Sequence, residues 1–329
     1  MSDQRLAVLG IGNAIVDVLS HATDDFLTAQ ALVKGSMRLI DEAEAERLYG
    51  LMGPGHEISG GSAANTIAGI AALGVPAGFI GKVRDDQLGA VFAHDIRAAG
   101  VEYATDAATD GASTARCLIL VTPDGQRTMN TFLGASQGLN PSDLDAAQIA
   151  RAEVIYLEGY LWDPPAAKEA FMAAIQIAHR QANKVALTLS DSFCVARYRD
   201  EFLELVPNHI DILFANEAEI KALTGTDDFD AAVAWARDAC DIVAITRSEK
   251  GAVIVAGDET HVVPAEPGVH VVDTTGAGDL FAAGFLAGLA KGLPLETCGR
   301  MGVICAAEVI SHMGARPEAD LKALVARSL

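Results

Sequence analysis

Asp273-Thr274-Thr275-Gly276-Ala277-Gly278-Asp279 runs directly into Leu280-Phe281-Ala282-Ala283-Gly284-Phe285. An extended apolar run (Val269, Val271, Val272) leads in, a glycine turn follows, and a helix of small residues begins behind it. Such a turn aims several backbone N–H groups and the positive end of a helix dipole at one point, which attracts phosphate. The Asp279 carboxylate stands at that point, where a bare anion-binding loop gains nothing from a negative charge. A carboxylate inside a phosphate cradle predicts phosphoryl transfer to a hydroxyl, with Asp279 as base. Taken alone, the four residues Gly-Ala-Gly-Asp also read as a plain helix start with an acid in its first turn.

Three further clusters could serve the same chemistry. Gly10-Ile11-Gly12-Asn13 lacks the third glycine of a dinucleotide fingerprint because position 15 is Ile, and Gly81-Lys82-Val83 is no Walker A loop. Behind that first turn Asn13 and Asp17 lie in an extended segment, where a carboxylate can accept two hydrogen bonds from a vicinal diol. A turn Asn and a solvent-facing Asp is the other reading. In Gly60-Gly61-Ser62-Ala63-Ala64-Asn65 adjacent glycines permit close approach of a ligand, and Asn65 follows on the first helical turn. The same residues also read as a helix capped by Ser62. Asn216-Glu217-Ala218-Glu219 puts an amide and a carboxylate, Asn216 and Glu219, on one helix face after a strand. That pair suits a hydrated Mg²⁺, or it is an N-capping Asn with first-turn acids. Thr246, Ser248 and Gly251, in Thr246-Arg247-Ser248-Glu249-Lys250-Gly251, could touch phosphate or ribose from a turn that otherwise reads as surface. No histidine shows metal-ligand spacing.

These residues sit in a chain of 329 residues with 50% hydrophobic and 21% charged content, which is globular. Its net charge of −20, with no Lys/Arg cluster, argues against nucleic acid as a partner. ATP remains compatible, since Mg²⁺ brings its own positive charge. Five scattered cysteines without a C-x-x-C predict reduced thiols and a cytoplasmic protein. Met1-Ser2-Asp3-Gln4-Arg5 runs into a strand without a signal-peptide pattern, and no apolar run reaches membrane-spanning length.

Positioning the clusters requires an alternating chain. Strands are expected at 6–12, 79–83, 153–158, 185–189, 211–215 and 242–246, with hairpins at 117–133 and 252–263. Helices are expected at 42–51, 63–73, 86–99, 165–182, 217–223, 229–239, 278–291, 295–311 and 317–327. The alternation predicts an α/β fold, a three-layer doubly wound and mainly parallel sheet. Less apolar strands at 14–20 and 36–41, with 108–133, predict a small inserted β-sheet lid on a single domain spanning 1–329.

With Gly12-Asn13…Asp17, Gly60 to Asn65, Asn216-x-x-Glu219 and Asp273 to Asp279 in this order, the chain resembles the ribokinase-like carbohydrate kinases of the phosphofructokinase-B type. Within them it looks most like adenosine kinases. Leu189-Ser190-Asp191-Ser192-Phe193 resembles a segment of that branch, and Tyr160 stands where the branch places an aromatic beside the purine, with Met129 packed nearby. The resemblance implies transfer of the ATP γ-phosphate to a sugar hydroxyl, the 5′-OH of adenosine in that branch. It makes Asp279 the base and Gly276, Ala277 and Gly278 the N–H donors to the transferring group. Arg127 would neutralise phosphate charge, while Asn13, Asp17, Gly61 and Asn65 would hold the sugar, with Tyr160 and Phe193 at the base. Asn216, Thr246, Ser248, Gly251, Thr275 and Gly278 would contact the nucleotide, and Asn216 and Glu219 would hold Mg²⁺ through water. A K⁺ site would use Asp273, Thr275 and backbone near 309–314. The lid would close to exclude water.

Two other readings compete. A kinase for free ribose or fructose needs no flat apolar wall, so Tyr160 and Phe193 distinguish it. A non-catalytic nucleotide sensor has no need of the Asp279 carboxylate. The expected partners are small molecules, without nucleic acid or membrane, on a monomer or homodimer.

Overall fold

A computed structural model describes residues 5–329; Met1–Gln4, read above as leading straight into a strand, lie outside the described residues. The strands are β1 Leu6–Ile11, β2 Ile15–His21, β3 Met37–Leu39, β4 Gly55–Gly60, β5 Ala77–Ile80, β6 Glu102–Tyr103 and β7 Ala115–Val121. They continue with β8 Arg127–Phe132, β9 Ala152–Glu158, β10 Lys184–Thr188, β11 Ile212–Asn216, β12 Ile242–Thr246, β13 Ala252–Ala256 and β14 Glu259–Val263. Nine of them form one sheet in the order β14-β13-β12-β11-β10-β9-β1-β5-β6. Pairing is parallel from β12 to β6, and β13 runs antiparallel to both β12 and β14.

Strand alternation divides the core into two layers. On one face Val8, Phe79, Tyr156, Phe214 and Ala244 pack under helices Ser62–Ala72, Ala277–Ala290 and Leu295–Val309. On the other Leu9, Ile155, Leu187, Leu213 and Val243 pack under Pro165–Arg180, Arg199–His209 and Phe229–Ala239. This is the three-layer, doubly wound α/β architecture that the alternation predicts.

The other five strands form the second sheet, ordered β3-β8-β7-β2-β4. One face, with Val16, Val18, Leu118 and Leu120, joins the main core beside Leu48 of helix Glu42–Tyr49 and Phe92 of helix Gln87–Ala98. The opposite face carries Ile15, Asp17 and Leu19 of β2 and Cys117 and Ile119 of β7.

Several expectations change. Strand β4 belongs to the second sheet and was not anticipated, because Gly55 and Gly60 frame a segment with only one apolar β-former, Ile58. Of 108–133 only 115–121 and 127–132 are strands; Ala108 makes a single bridge to Arg84. Helices Ser192–Arg197 and Arg199–His209 replace an unassigned stretch, Pro207 having masked the second. The apolar run before the glycine turn forms no strand: Val271 and Val272 are 54% and 40% exposed, and the Val272 N–H bonds Ile310 O at 2.8 Å. The last helix is shorter than expected, Leu321–Ser328.

Helices Ala277–Ala290 and Leu295–Val309 touch backbone to backbone. A Cβ on Gly284 would lie 2.5 Å from Met301 O, and one on Gly302 would lie 2.8 Å from Phe281 O. Gly284→Val should therefore destabilise the fold by roughly 1–3 kcal/mol through overpacking, read as a lower urea midpoint. An unchanged midpoint would show that the two helices separate freely.

Candidate active site

In an open α/β sheet, ligands bind beyond the carboxyl ends of the strands, where the winding direction reverses. Here the reversal falls between β1 and β9. Glu158, at the end of β9 and fully buried, spans it. Its Oε1 accepts from Asn13 N at 2.7 Å and Asn13 Nδ2 at 2.6 Å, and its Oε2 from Ala63 N at 2.7 Å. Burial pushes its carboxyl up to about 7 against the pull of these bonds. Asn13 Oδ1 in turn accepts from Ser136 Oγ at 2.8 Å. Asn13, only 2% exposed, has its side chain tied to Glu158 and Ser136 and shapes the turn.

Gly60 and Gly61 join β4 to helix Ser62–Ala72. Gly61 has φ 96°, and a Cβ there would lie 2.2 Å from Asn13 O, so only glycine fits. Gly61 is the helix N-cap, without a side-chain bond, and Ser62 therefore is not. Instead Ser62 Oγ donates to Asp279 Oδ1 at 2.7 Å, and Asn65 Nδ2 donates to Asp279 Oδ2 at 3.0 Å. Among the described residues Asn65 Oδ1, which is buried, has no partner.

Asp279 occupies the first turn of helix Ala277–Ala290, whose N-cap Gly276 is left-handed at φ 79°. It stays half-buried, open to water on one side. Burial raises its carboxyl to about 6, opposed by the Ser62 and Asn65 bonds and by the Arg316 charge. Among the described residues the amides of Gly276 and Gly278 have no partner, and nothing lies within 4 Å of a Cβ on Gly278. The Ala277 N–H already bonds Thr274 O at 3.2 Å, which corrects its expected role as a free donor.

Asp17 faces the same cleft from β2. Among the described residues it has no hydrogen-bond partner, and a Cβ on Gly60 would lie 2.4 Å from its Oδ2. Burial raises it to about 7; Arg316 and Arg127 oppose this, and Asp279 adds to it. A second cation enters from β8: Arg127 Nη1 pairs with Asp273 Oδ2 at 2.8 Å, both side chains 7% exposed. Asp273 also accepts from Thr275 N (3.1 Å), Thr275 Oγ1 (2.7 Å) and Gly314 N (3.0 Å). Donors surround this carboxylate, and a guanidinium sits where a K⁺ would need oxygen ligands. The residues present do not fit the expected K⁺ site.

Asn216 and Glu219 form a reciprocal cap: Asn216 Oδ1 accepts from Glu219 N at 2.8 Å, and Glu219 Oε2 from Asn216 N at 2.9 Å. Asn216 Nδ2 donates to Glu219 Oε1 at 2.6 Å. The capping reading is realised. Burial lifts Glu219 to about 7. Among the described residues no group of three or more His, Cys, Asp and Glu side chains could hold a metal directly. An exposed Asn beside one carboxylate fits a hydrated Mg²⁺, which needs few protein ligands. Thr246 pairs in register with Asn216 at the ends of β12 and β11. Ser248 and Gly251 lie in the turn behind it, with positive φ of 51° and 83°.

The expected apolar wall is incomplete. Tyr160 is 39% exposed in the short 3-10 turn after β9. Burial and the acids Asp191, Asp279, Glu219 and Glu158 push its hydroxyl upward, so it stands in the field of the site. Phe193 is 81% exposed on its own short helix and walls nothing off in this conformation. Met129 packs against the buried cluster of Cys117, Ile119 and Val121.

A model of the pfkB family of carbohydrate kinases matches residues 36–321. The chain belongs to that family. It superposes on adenosine kinase from Sinorhizobium meliloti with TM-score 0.91 and 49% identity, covering 99% of this chain and 100% of that one. A probable sugar kinase from Rhizobium etli gives TM-score 0.91 and 50% identity over 98% of both chains. An ATP-dependent ribose-1-phosphate kinase from Halopiger xanaduensis is 33% identical over 264 residues, 79% of this chain and 84% of its own. The adenosine kinase resemblance and the ribokinase-like fold are both borne out.

For a pfkB-family kinase, two groups at this site escaped the sequence reading. Glu158 was passed over as the end of a strand. Arg316 lies in Gly314-Ala315-Arg316-Pro317, outside every recognised cluster; only its bonds to Ser59 and Ala64 and its charge near Asp17 and Asp279 give it meaning. Among the described residues no helix is long and apolar enough to cross a membrane.

Four carboxyls of the kinase (Asp17, Glu158, Glu219 and Asp279) are held at about 6 to 7 by burial. A raised folded value means that the favourable contribution is complete below about pH 4, the unfolded range, and is lost as pH rises through 6 to 7. The ligand-free protein should melt at a lower temperature at pH 7.5 than at pH 5.5. A Tm that is flat or rises over that interval would contradict the burial of these acids.

Proposed function

We propose that the chain transfers the γ-phosphate of ATP to the 5′-hydroxyl of a nucleoside, adenosine foremost. The kinase class follows from the family; the acceptor is the inference. One observation carries it: a half-open carboxylate, Asp279, stands on a helix N-terminus beside two unpaired amides, those of Gly276 and Gly278. A substrate hydroxyl placed there loses its proton to Asp279 as its oxygen bonds the γ-phosphorus. The bond from that phosphorus to the bridging oxygen breaks, and ADP leaves with the electron pair. Ser62 and Asn65 orient the carboxylate; held at about 6, it is mostly ionised at neutral pH yet basic enough to accept a proton.

The Asp17 carboxylate, without a hydrogen-bond partner among the described residues, suits the diol of a ribose. Arg127 has Nε and Nη2 buried without a partner among the described residues, and both can donate to phosphate oxygens. Mg²⁺ held through water by Asn216 and Glu219 would neutralise charge on the phosphates. Thr246, Ser248, Gly251 and Thr275 remain the proposed contacts to the nucleotide. Tyr160 at the cleft supports a purine. The exposure of Phe193, together with the ribose-1-phosphate kinase relative, supports a second reading, a kinase for a free or phosphorylated sugar.

The test is ADP release from Mg-ATP with adenosine, inosine, guanosine, ribose, ribose 1-phosphate and fructose. Adenosine should give the highest kcat/KM; preference for a sugar would establish the second reading. Asp279→Asn should abolish turnover while nucleoside affinity stays within about tenfold. In the wild type kcat/KM should fall as pH drops through about 6, where Asp279 takes up a proton.

A further inference from the structure

We propose that Arg316 is a positioning residue of this site: its guanidinium locks the turn that presents Ser62 and Asn65, and its charge balances the two carboxylates of the cleft. This rests on the kinase reading above. Arg316 Nε and Nη2 donate to Ser59 O at 3.0 and 2.9 Å, Nη2 also to Ser59 Oγ at 2.9 Å, and Nη1 to Ala64 O at 3.0 Å. Ser59 is in β4 and Ala64 in the first turn of the next helix, so the fork spans Gly60 and Gly61. Those two glycines supply no side chain to stiffen the turn. Asp95 of helix Gln87–Ala98 fixes Ser59 from the other side, accepting from its N at 2.8 Å and its Oγ at 2.6 Å. The turn is therefore pinned between a cation and an anion brought from distant parts of the chain.

The charges complete the case. Asp95, Asp17 on β2 and Asp279 on helix Ala277–Ala290 all feel the charge of Arg316, Asp95 most. Arg127 on β8 also acts on Asp17, but it is paired with Asp273 at 2.8 Å. Glu158 on β9 is committed to Asn13 and Ala63. Arg316 is the cation whose charge opposes the burial of both Asp17 and Asp279. Burial pulls its guanidinium down to about 10, still a cation at neutral pH. A fork holding backbone carbonyls cannot drift toward either acid, so it acts on both through the field.

Arg316→Gln removes the charge and keeps hydrogen-bonding capacity; Arg316→Lys keeps the charge and loses the fork. Both are measured by the pH profile of kcat/KM with Mg-ATP and the best acceptor of the panel. ¹³C-carboxyl NMR titration of aspartate-labelled protein gives a readout without turnover, the Asp279 signal being assigned by its loss in Asp279→Asn. Gln should raise the acid limb and the Asp279 midpoint by about one unit. Lys should leave both in place while lowering kcat. If Gln lowers kcat but leaves both midpoints unmoved, Arg316 is a structural tie only and the inference fails. Should Gln not fold, a Lys midpoint displaced upward by about one unit overturns it equally. A wild type inactive toward every acceptor, with the NMR midpoint still moving in Gln, would sink the kinase reading and leave this one standing.

Discussion

The site depends on a contact between residues 217 positions apart, the Ser62 hydroxyl on the Asp279 carboxylate, with Asn65 on its other oxygen. Burial works against the charge of Asp279 and the two donors work for it. On the proposed reading, the balance at about 6 suits a base: a lower value would leave it too weak, and a higher one would leave it protonated at neutral pH. Everything that places these groups serves the contact. The close approach of helices Ala277–Ala290 and Leu295–Val309 fixes one side, and Glu158 holding the N-terminus of helix Ser62–Ala72 fixes the other.

Much of this was legible in the chain. Continuous apolar strands alternating with helices gave the parallel sheet, because strands buried on both faces leave no other composition. The glycine turn before Asp279 was legible because the left-handed Gly276 and the open space at Gly278 leave a local trace. Capping was legible at Asn216 and Glu219 for the same reason, since that geometry is complete within four residues. Groups that act across the sequence were not. Glu158 looks like any strand end until Asn13 and Ala63 arrive beside it, and Ser62 passed for a cap until Asp279 took its hydrogen bond.

The errors share a cause. Val269, Val271 and Val272 read as an extended apolar run, yet the Val272 and Asp273 amides are taken by Ile310 O at the end of a helix, so no ladder forms. Strand β4 has the opposite history: a poor β-former composition is drawn into the second sheet by six registered partners in β2. Where tertiary pairing is available it overrides local preference. The same holds for Asn13, whose amide the sheet crossing consumes.

The Arg127–Asp273 pair shows how much the second sheet contributes to the charge balance of the cleft. Asp273 lies on the main body and Arg127 on β8, so the ion pair ties the two sheets together beside the glycine turn. A pair buried this deeply gives little net stability, because desolvation consumes most of its Coulomb energy. Among the described residues the Arg127 Nε and Nη2 atoms have no partner, which is a further cost. A phosphate arriving at Gly276 and Gly278 would relieve it, offering oxygens to donors that now have none. On the proposed reading the nucleotide therefore completes a hydrogen-bonding set that the protein leaves open.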